Sequence, residues 1–231
     1  MINILKNKIG IKGLIKAWVG ENGIYTPIHE ANHLSYKKNL QPNGYITDIV
    51  NSALYSPVDL RFKYVALSTK FDTPTKSDTL VNEIGRVVPS SITKVGNKII
   101  VESTFTITDA NTLTTSITAF SDRQTLTLSS VTGLQVNDGV QITLPNGAKE
   151  ERKITNISSL IITLDKVLSA DPSTSTTENI KQLICRIHLV YGTSSTLTLN
   201  SGYGASIASL KTTKASTQII YTRHELEFLG S

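Results

Sequence analysis

The chain has 231 residues, of which 39% are hydrophobic and 18% are charged, and much of the remainder is Ser and Thr. This length allows one large domain or two smaller ones, and the composition favours short strands with polar turns over a helical bundle or a disordered chain. The formal net charge of +5 comes without an Arg-rich run or an aromatic–basic platform, so nucleic acid is not an expected partner.

The sequence also bounds redox chemistry and membrane association. The single cysteine, Cys185, excludes an intrachain disulfide. No apolar run is long enough to span a bilayer, and lysines interrupt the first 18 residues too often for the core of a signal peptide. We therefore expect no membrane insertion.

Residues 1–28 are predicted to form a β arm or hairpin. Apolar and basic residues alternate with a period of two, which is typical of a half-buried strand or of an extended arm awaiting a partner. A turn at residues 21–23 then leads into a second strand. A basic amphipathic helix on a membrane surface is the alternative, which Gly10 and Gly13 disfavour. Our interface candidates in this segment are Lys6, Lys8, Lys12, Lys16, Trp18 and Tyr25.

His29, Glu30 and His33 form a literal HExxH motif. On a helix, its two histidines can bind zinc while the glutamate polarises a water molecule. Catalytic zinc needs a third protein ligand, and Tyr36 and Asn39 stand where the extended pattern has Gly and His. We interpret the segment as a polar loop, expect no metal and no cofactor, and keep a zinc-dependent hydrolase as a remote alternative.

One short helix is predicted within residues 44–55, where apolar residues recur at helical spacing before Pro57. Residues 62–68 are typical of a buried strand. A further helical turn could be capped at residues 77–79 and continue to Glu83.

A hairpin is predicted next, with strands over residues 91–95 and 98–108. Gly96 and Asn97 supply the turn between them. On the second strand the predicted inward face consists of Ile99, Val101, Ser103, Phe105 and Ile107.

Residues 114–179 have a different character, with short strands and their own turns, and residues 171–177 close the run as a linker. Loop tips tolerate insertions whose ends lie close together. We therefore interpret this stretch as a small β-barrel inserted into a main domain made of residues 29–113 and 180–231.

The last part returns to long strands. Within residues 182–191, Cys185 shares an apolar face, while Arg186 and His188 share a face that we expect to be polar. We interpret Cys185 as a core residue, and His188 and His224 as structural residues rather than a catalytic pair. The predicted fold is mainly β, an antiparallel β-sandwich of jelly-roll-like type with an inserted small β-barrel and one short helix.

Two stretches carry a family resemblance. Residues 64–69 and 73–86 resemble the "ALGTG" strand and "P…SDT-L-NE-R" pattern of tailed-bacteriophage structural proteins, with Ser68 and Lys70 in place of the glycines. Phe105 matches the following strand, and residues 203–222 resemble the closing strands. The resemblance covers about half of the chain, on both sides of the predicted insert.

The resemblance implies a non-enzymatic part of a tailed-phage virion, assembled in the host cytoplasm. Such a part packs against other virion proteins as a homo-oligomer, in the tail, the neck or connector, the baseplate or a capsid-decoration position. Contact with the host surface is then possible as well. The alternative is a receptor- or carbohydrate-binding surface module.

Overall fold

The computed structural model describes residues 10–28, 37–38, 62–75, 79–191, 199–201 and 203–229. His29, Glu30, His33, the predicted helix at 44–55, Lys6 and Lys8 lie outside these residues. All regular elements of the described part are strands. These are β1 (Gly10–Glu21), β2 (Ile24–Pro27), β3 (Lys37–Lys38), β4 (Phe62–Ser68), β5 (Glu83–Val87), β6 (Ser91–Val95), β7 (Lys98–Phe105), β8 (Thr114–Thr115), β9 (Ile117–Phe120), β10 (Thr125–Leu128), β11 (Gly139–Thr143), β12 (Lys149–Ser158), β13 (Ile161–Leu164), β14 (Ile180–Tyr191), β15 (Tyr203–Thr212) and β16 (Ile219–Leu229).

The first sheet has the strand order β2-β1-β16-β7-β6, and β3 also pairs with β1. β1 and β2 form the predicted hairpin, and both Asn22 (φ 50°) and Gly23 (φ 79°) have the positive φ that a tight hairpin turn requires. β1 also runs antiparallel to β16 of the same chain, starting with Gly10 opposite Leu229. From residue 10 onwards this segment is therefore an internal strand of the chain's own sheet, and the amphipathic-helix alternative is wrong there.

The second sheet has the order β5-β4-β14-β11-β12-β13-β10-β9, with β15 and β8 also paired to β14. β14 is the long strand of this sheet and has two sets of neighbours. Its first residues pair with β11 and β8, and its later residues pair with β4 and β15. The stretch predicted as an insert is thus joined to the rest of the chain along one continuous strand.

Residues 114–179, together with the first residues of β14, form a curled sheet around a second core. The pairing runs from β14 through β11, β12, β13 and β10 to β9, and β8 returns to β14. The ladder is interrupted at Ser116, between β8 and β9, so the strands do not close into the predicted barrel. Buried residues of this core include Ile117, Leu126, Ile142, Ile154, Ile162 and Ile180.

The main core lies between the two sheets. Because β1, β7 and β16 alternate apolar and polar residues, each presents one apolar row to the interior. The second sheet contributes rows from β4, β14 and β15 to the same core. The predicted antiparallel β-sandwich is confirmed. Its core includes Ile15, Ala17, Val65, Leu67, Val101, Phe105, Ile187, Leu189 and Ile220.

The predicted polar face of β14 is wrong, because both faces of this strand are buried. Arg186 and His188 are each 1% exposed. The segment after β4 covers this side, and the Arg186 guanidinium donates hydrogen bonds to the backbone oxygens of Lys70 and Asp72. A covering segment that is distant in sequence leaves no trace in the alternation of β14.

Two boundaries also differ from the prediction. β7 ends at Phe105, and the Asp109 amide donates to the Thr106 oxygen in the turn that follows. Ile107, predicted to face inward, is therefore exposed. Glu83 begins β5 instead of ending a helical turn.

Candidate interaction surface

The outer face of the first sheet carries the interface candidates that the structure describes. Ile15 and Ala17 are each 2% exposed and face the core, so Lys16 and Trp18 lie on the opposite face. In the register of β1 with β16, Lys12 is the partner of Glu227. The side chains of Lys16 and Trp18 are half-buried.

Aromatic residues gather at one end of this outer face. The rings of Trp18 and Tyr221 lie 5.4 Å apart with their planes at 41°. Tyr25 is 53% exposed. A Cβ atom on Gly20 would lie 2.9 Å from the Tyr25 ring, so that ring rests on the sheet at the glycine. Aromatic side chains are enriched at protein interfaces because they bury much area at little entropic cost.

Charged residues surround these aromatics in a fixed network. Glu102 accepts hydrogen bonds from the Tyr221 hydroxyl (2.6 Å), the Arg223 guanidinium (3.0 Å) and the Ser91 hydroxyl (2.9 Å). Arg223 also donates to Glu225 at 3.0 Å. These groups come from three neighbouring strands, β6, β7 and β16, because the register places Ser91, Glu102 and Arg223 in one row.

Hydrogen bonding in this network keeps Glu102 and Arg223 charged and the Tyr221 hydroxyl neutral. The bond from Tyr221 is the largest influence on Glu102 and holds the pKa of that carboxyl below its usual range. Burial, together with the bond to Glu102, raises the pKa of Tyr221 to about 12. The bond to Glu225 raises the pKa of Arg223 further. The network therefore presents fixed charges near neutral pH and has no group suited to proton transfer there.

The strand β6 is the edge of the first sheet, with no further strand paired to it among the described residues. Ile92 and Val95 are 50% and 58% exposed, and Val88 before the strand is also exposed. An open edge offers backbone donors and acceptors to another chain, although a lysine such as Lys94 limits unspecific pairing.

In the stretch that carries the sequence resemblance, Asn82 and Glu83 are buried, Arg86 is half-buried, and all three bind other parts of the chain. Glu83 is paired with Arg86 at 2.5 Å, and its carboxylate accepts a hydrogen bond from the Asn200 amide at 2.6 Å. The Asn200 side-chain oxygen accepts a hydrogen bond from the Glu83 amide at 2.9 Å. The Arg86 guanidinium also lies 5.2 Å from the centre of the Tyr64 ring. These contacts hold the segment before β15 against β5.

Asn82, in the same stretch, binds the turn before β11. The Asp138 carboxylate is buried and accepts hydrogen bonds from Thr69, from Asn82 at 2.8 Å, from the Gln135 amide at 2.8 Å and from Gln182 at 2.6 Å. Burial raises the pKa of Asp138, while these donors oppose the shift. A carboxylate saturated by four donors ties the insert to the main sheet and leaves no lone pair for catalysis.

Two other titratable groups of the described residues are also unsuited to chemistry near neutral pH. His224 is fully buried, and burial is the main reason that its pKa falls to about 3. Burial likewise raises the pKa of the Cys185 thiol to about 12. A neutral imidazole and a protonated thiol in a core are neither acid–base catalysts nor nucleophiles.

Sequence reasoning missed Tyr221, Glu102 and Arg223, because they join Trp18 and Lys16 only through strand pairing. The predicted candidates Lys6 and Lys8 and the HExxH residues lie outside the described residues and stay predictions. Within the described part of the chain, no group of three or more His, Cys, Asp or Glu residues could hold a metal ion. That part also has no helix long and apolar enough to cross a membrane.

Comparisons with protein-family models, curated proteins and solved structures found no match.

Proposed function

We propose that this chain is a non-enzymatic structural component of a tailed-phage virion. It is assembled in the host cytoplasm and packs as a homo-oligomer against other virion proteins, in the tail, the neck or connector, the baseplate or a capsid-decoration position. The resemblance of residues 64–69, 73–86 and 203–222 to phage structural proteins motivates the proposal.

The observation that carries the proposal is the structural role of three residues in the stretch that resembles phage proteins. Asn82, Glu83 and Arg86 are buried or half-buried and bind other segments of the chain. Residues with this role build a scaffold, whereas catalytic residues converge on a cleft open to substrate. A scaffold that shows an aromatic and charged sheet face and an open strand edge has the surfaces that packing between subunits needs.

Immunogold electron microscopy of intact particles, with antibody against this chain, tests the virion role. Label confined to one vertex, the neck or the tail end would support a connector or tail part, and even label over the shell would support decoration. A lysate that contains the protein but yields unlabelled and protein-free particles would contradict the proposal.

The contact surface can be tested separately by sedimentation. A Lys16→Glu/Tyr25→Ala double variant alters the outer face, and the new acid lies beside Arg223, so the fold should be retained. We expect subunit association to weaken roughly 10- to 100-fold, the usual effect of losing an interface anchor. The matched control is Lys149→Glu/Phe120→Ala, which likewise changes one lysine and one aromatic residue, at exposed positions of the insert. Equal association of both variants and the wild type would exclude this face as the contact.

A second candidate is the receptor- or carbohydrate-binding module. The observation that favours it is the grouping of Trp18, Tyr221 and Tyr25 beside hydrogen-bonding groups on one sheet face. Aromatic faces stack on sugar rings, and carboxylates and guanidinium groups bind their hydroxyls. A glycan array that shows binding lost on Tyr25→Ala would favour this function over the structural one, and an array without binding would exclude it.

A further inference from the structure

A buried lysine contacts a side-chain amide close to the point where the chain enters the insert. Lys214, between β15 and β16, is 0% exposed, and its Nζ donates a hydrogen bond to Asn111 Oδ1 at 2.7 Å. Asn111 lies in the segment between β7 and β8 and is exposed. A buried lysine is costly unless its ammonium is paired with an anion or its amine is neutral. Here the atom that Nζ contacts belongs to an uncharged amide.

Neighbouring hydrogen bonds hold these two side chains in place. The Thr112 amide donates to the Lys214 oxygen at 3.0 Å, and the Lys214 amide donates to the Thr112 hydroxyl at 3.0 Å. Asn111 Nδ2 donates to the Ile107 oxygen at 3.0 Å, which directs Oδ1 towards the lysine. Because a C=O bond is about 1.2 Å long, Asn111 Cγ lies within about 3.9 Å of Nζ. Reacting atoms in a near-attack geometry lie about 3–3.5 Å apart, so at this upper bound a small approach of Nζ is enough to reach that distance.

The electrostatics favour a nucleophilic amine with a proton acceptor nearby. Burial lowers the pKa of Lys214, and the charge of Asp109 partly opposes that shift. Hydrogen bonds from the Thr106 side chain and backbone hold the pKa of Asp109 below its usual range, so it remains a carboxylate. Desolvation activates a lysine amine for covalent chemistry, and a carboxylate in the vicinity serves as acceptor for the proton that the amine gives up.

We propose that Lys214 and Asn111 join in an intramolecular isopeptide bond. The neutral Nζ attacks Asn111 Cγ, and the Nζ–Cγ bond forms. One Nζ proton passes through the Asp109 carboxylate to Nδ2, the Cγ–Nδ2 bond breaks, and ammonia leaves through the exposed side of Asn111. Nothing is oxidised or reduced, and no co-reactant is needed.

The product would covalently join the segment after β7 to the segment after β15. These segments lie 103 positions apart in sequence, so the bond would close a long loop and restrict the unfolded chain in the way that a disulfide does. A chain with a single cysteine has no intrachain disulfide available for this purpose. The inference depends on local geometry and holds whether or not the protein is a virion part.

Intact mass spectrometry of the purified full-length chain, unfolded just before measurement, tests the bond directly. We expect a mass about 17 Da below that of the sequence, because one ammonia is lost. Trypsin should then fail to cleave after Lys214 and should yield a branched peptide that joins residues 99–123 to residues 212–223. The Lys214→Met and Asn111→Ala variants should have their full sequence masses, and Asp109→Asn should slow the loss. Lys211→Arg, a change at an exposed neighbouring lysine, is the control that should keep it.

An unmodified mass after prolonged incubation of the folded protein, with normal cleavage after Lys214, would overturn the proposal. A gain of about 1 Da at Asn111 would also overturn it, because water rather than Lys214 would then be the attacking group. The wild-type measurement decides the question even if a variant fails to fold.

Discussion

Replacement of His224 by leucine should remove a pH dependence that originates in the core. His224 lies on β16 between Ile15 of β1 and Val101 of β7. Neither of its ring nitrogens has a hydrogen-bond partner in the described structure. Burial, reinforced by the charge of His188, lowers its pKa from 6.5 to about 3.

The sign of the effect follows from proton uptake. Below pH 6.5 the unfolded chain protonates His224 while the folded chain does not, so acid favours the unfolded state until the pH reaches the folded pKa of about 3. Each pH unit in this window lowers the free energy of unfolding by about 1.4 kcal/mol. Between a pH of about 7.5 and a pH of about 5 the loss from this residue is about 2 kcal/mol.

Urea unfolding of the wild type and of His224→Leu at both pH values measures the effect. Leucine has a similar volume, and it removes two buried polar atoms that lack hydrogen-bond partners. We therefore expect the variant to match or exceed the wild type near neutral pH, and to gain a further 2 kcal/mol or so relative to it at the lower pH. Carboxylates titrate in both proteins, and the difference between them isolates His224. A difference that does not change with pH would refute the reasoning.

Further predictions concern the buried Asp138 carboxylate, a close packing contact at Gly85, the Cys185 thiol and the HExxH motif. Asp138→Asn should lower the free energy of unfolding by roughly 2–4 kcal/mol, because the amide NH2 of asparagine would face groups that donate hydrogen bonds to the carboxylate. Urea unfolding measures this loss, and an unchanged free energy of unfolding would contradict the role of Asp138 in joining the insert to the main sheet. Gly85→Ala should lower the melting temperature, because its Cβ would lie 2.8 Å from Ala110 Cβ and 3.1 Å from that residue's backbone. Cys185 should react with a thiol reagent only after unfolding, and rapid labelling of the folded chain would show that this core opens. The purified protein should retain no zinc, and His29→Ala should leave its stability unchanged; stoichiometric zinc that this variant loses would revive the hydrolase alternative.

Local patterns were sufficient to predict the hairpins and the faces of several strands. Period-two alternation identified the inward row of β1 and, on β7, Val101, Ser103 and Phe105, all of which are buried. The two turns were predictable because Gly23 and Gly96 adopt positive φ values that glycine tolerates. These features depend on residues that are close together in the sequence, so the local pattern is enough to predict them.

Features that depend on distant segments were not predictable. The burial of Arg186 and His188 requires a covering segment more than one hundred residues earlier. The outer face brings Trp18 beside Tyr221 through the β1–β16 register. Closure of the insert into a barrel fails at Ser116, because β8 before it pairs with β14 and β9 after it pairs with β10. Each of these outcomes is decided by tertiary packing, which alternation alone does not encode.

The two sets of neighbours along β14 have a mechanical consequence. A force that separates the insert from the sandwich along the axis of β14 loads its ladders in shear, so many backbone hydrogen bonds must break together. A force across the strand would instead break them one after another, at much lower load. The buried anchor at Asp138 lies alongside β14 through Gln182 and adds to the axial resistance. The molecule should therefore be stiff along one direction and compliant across it.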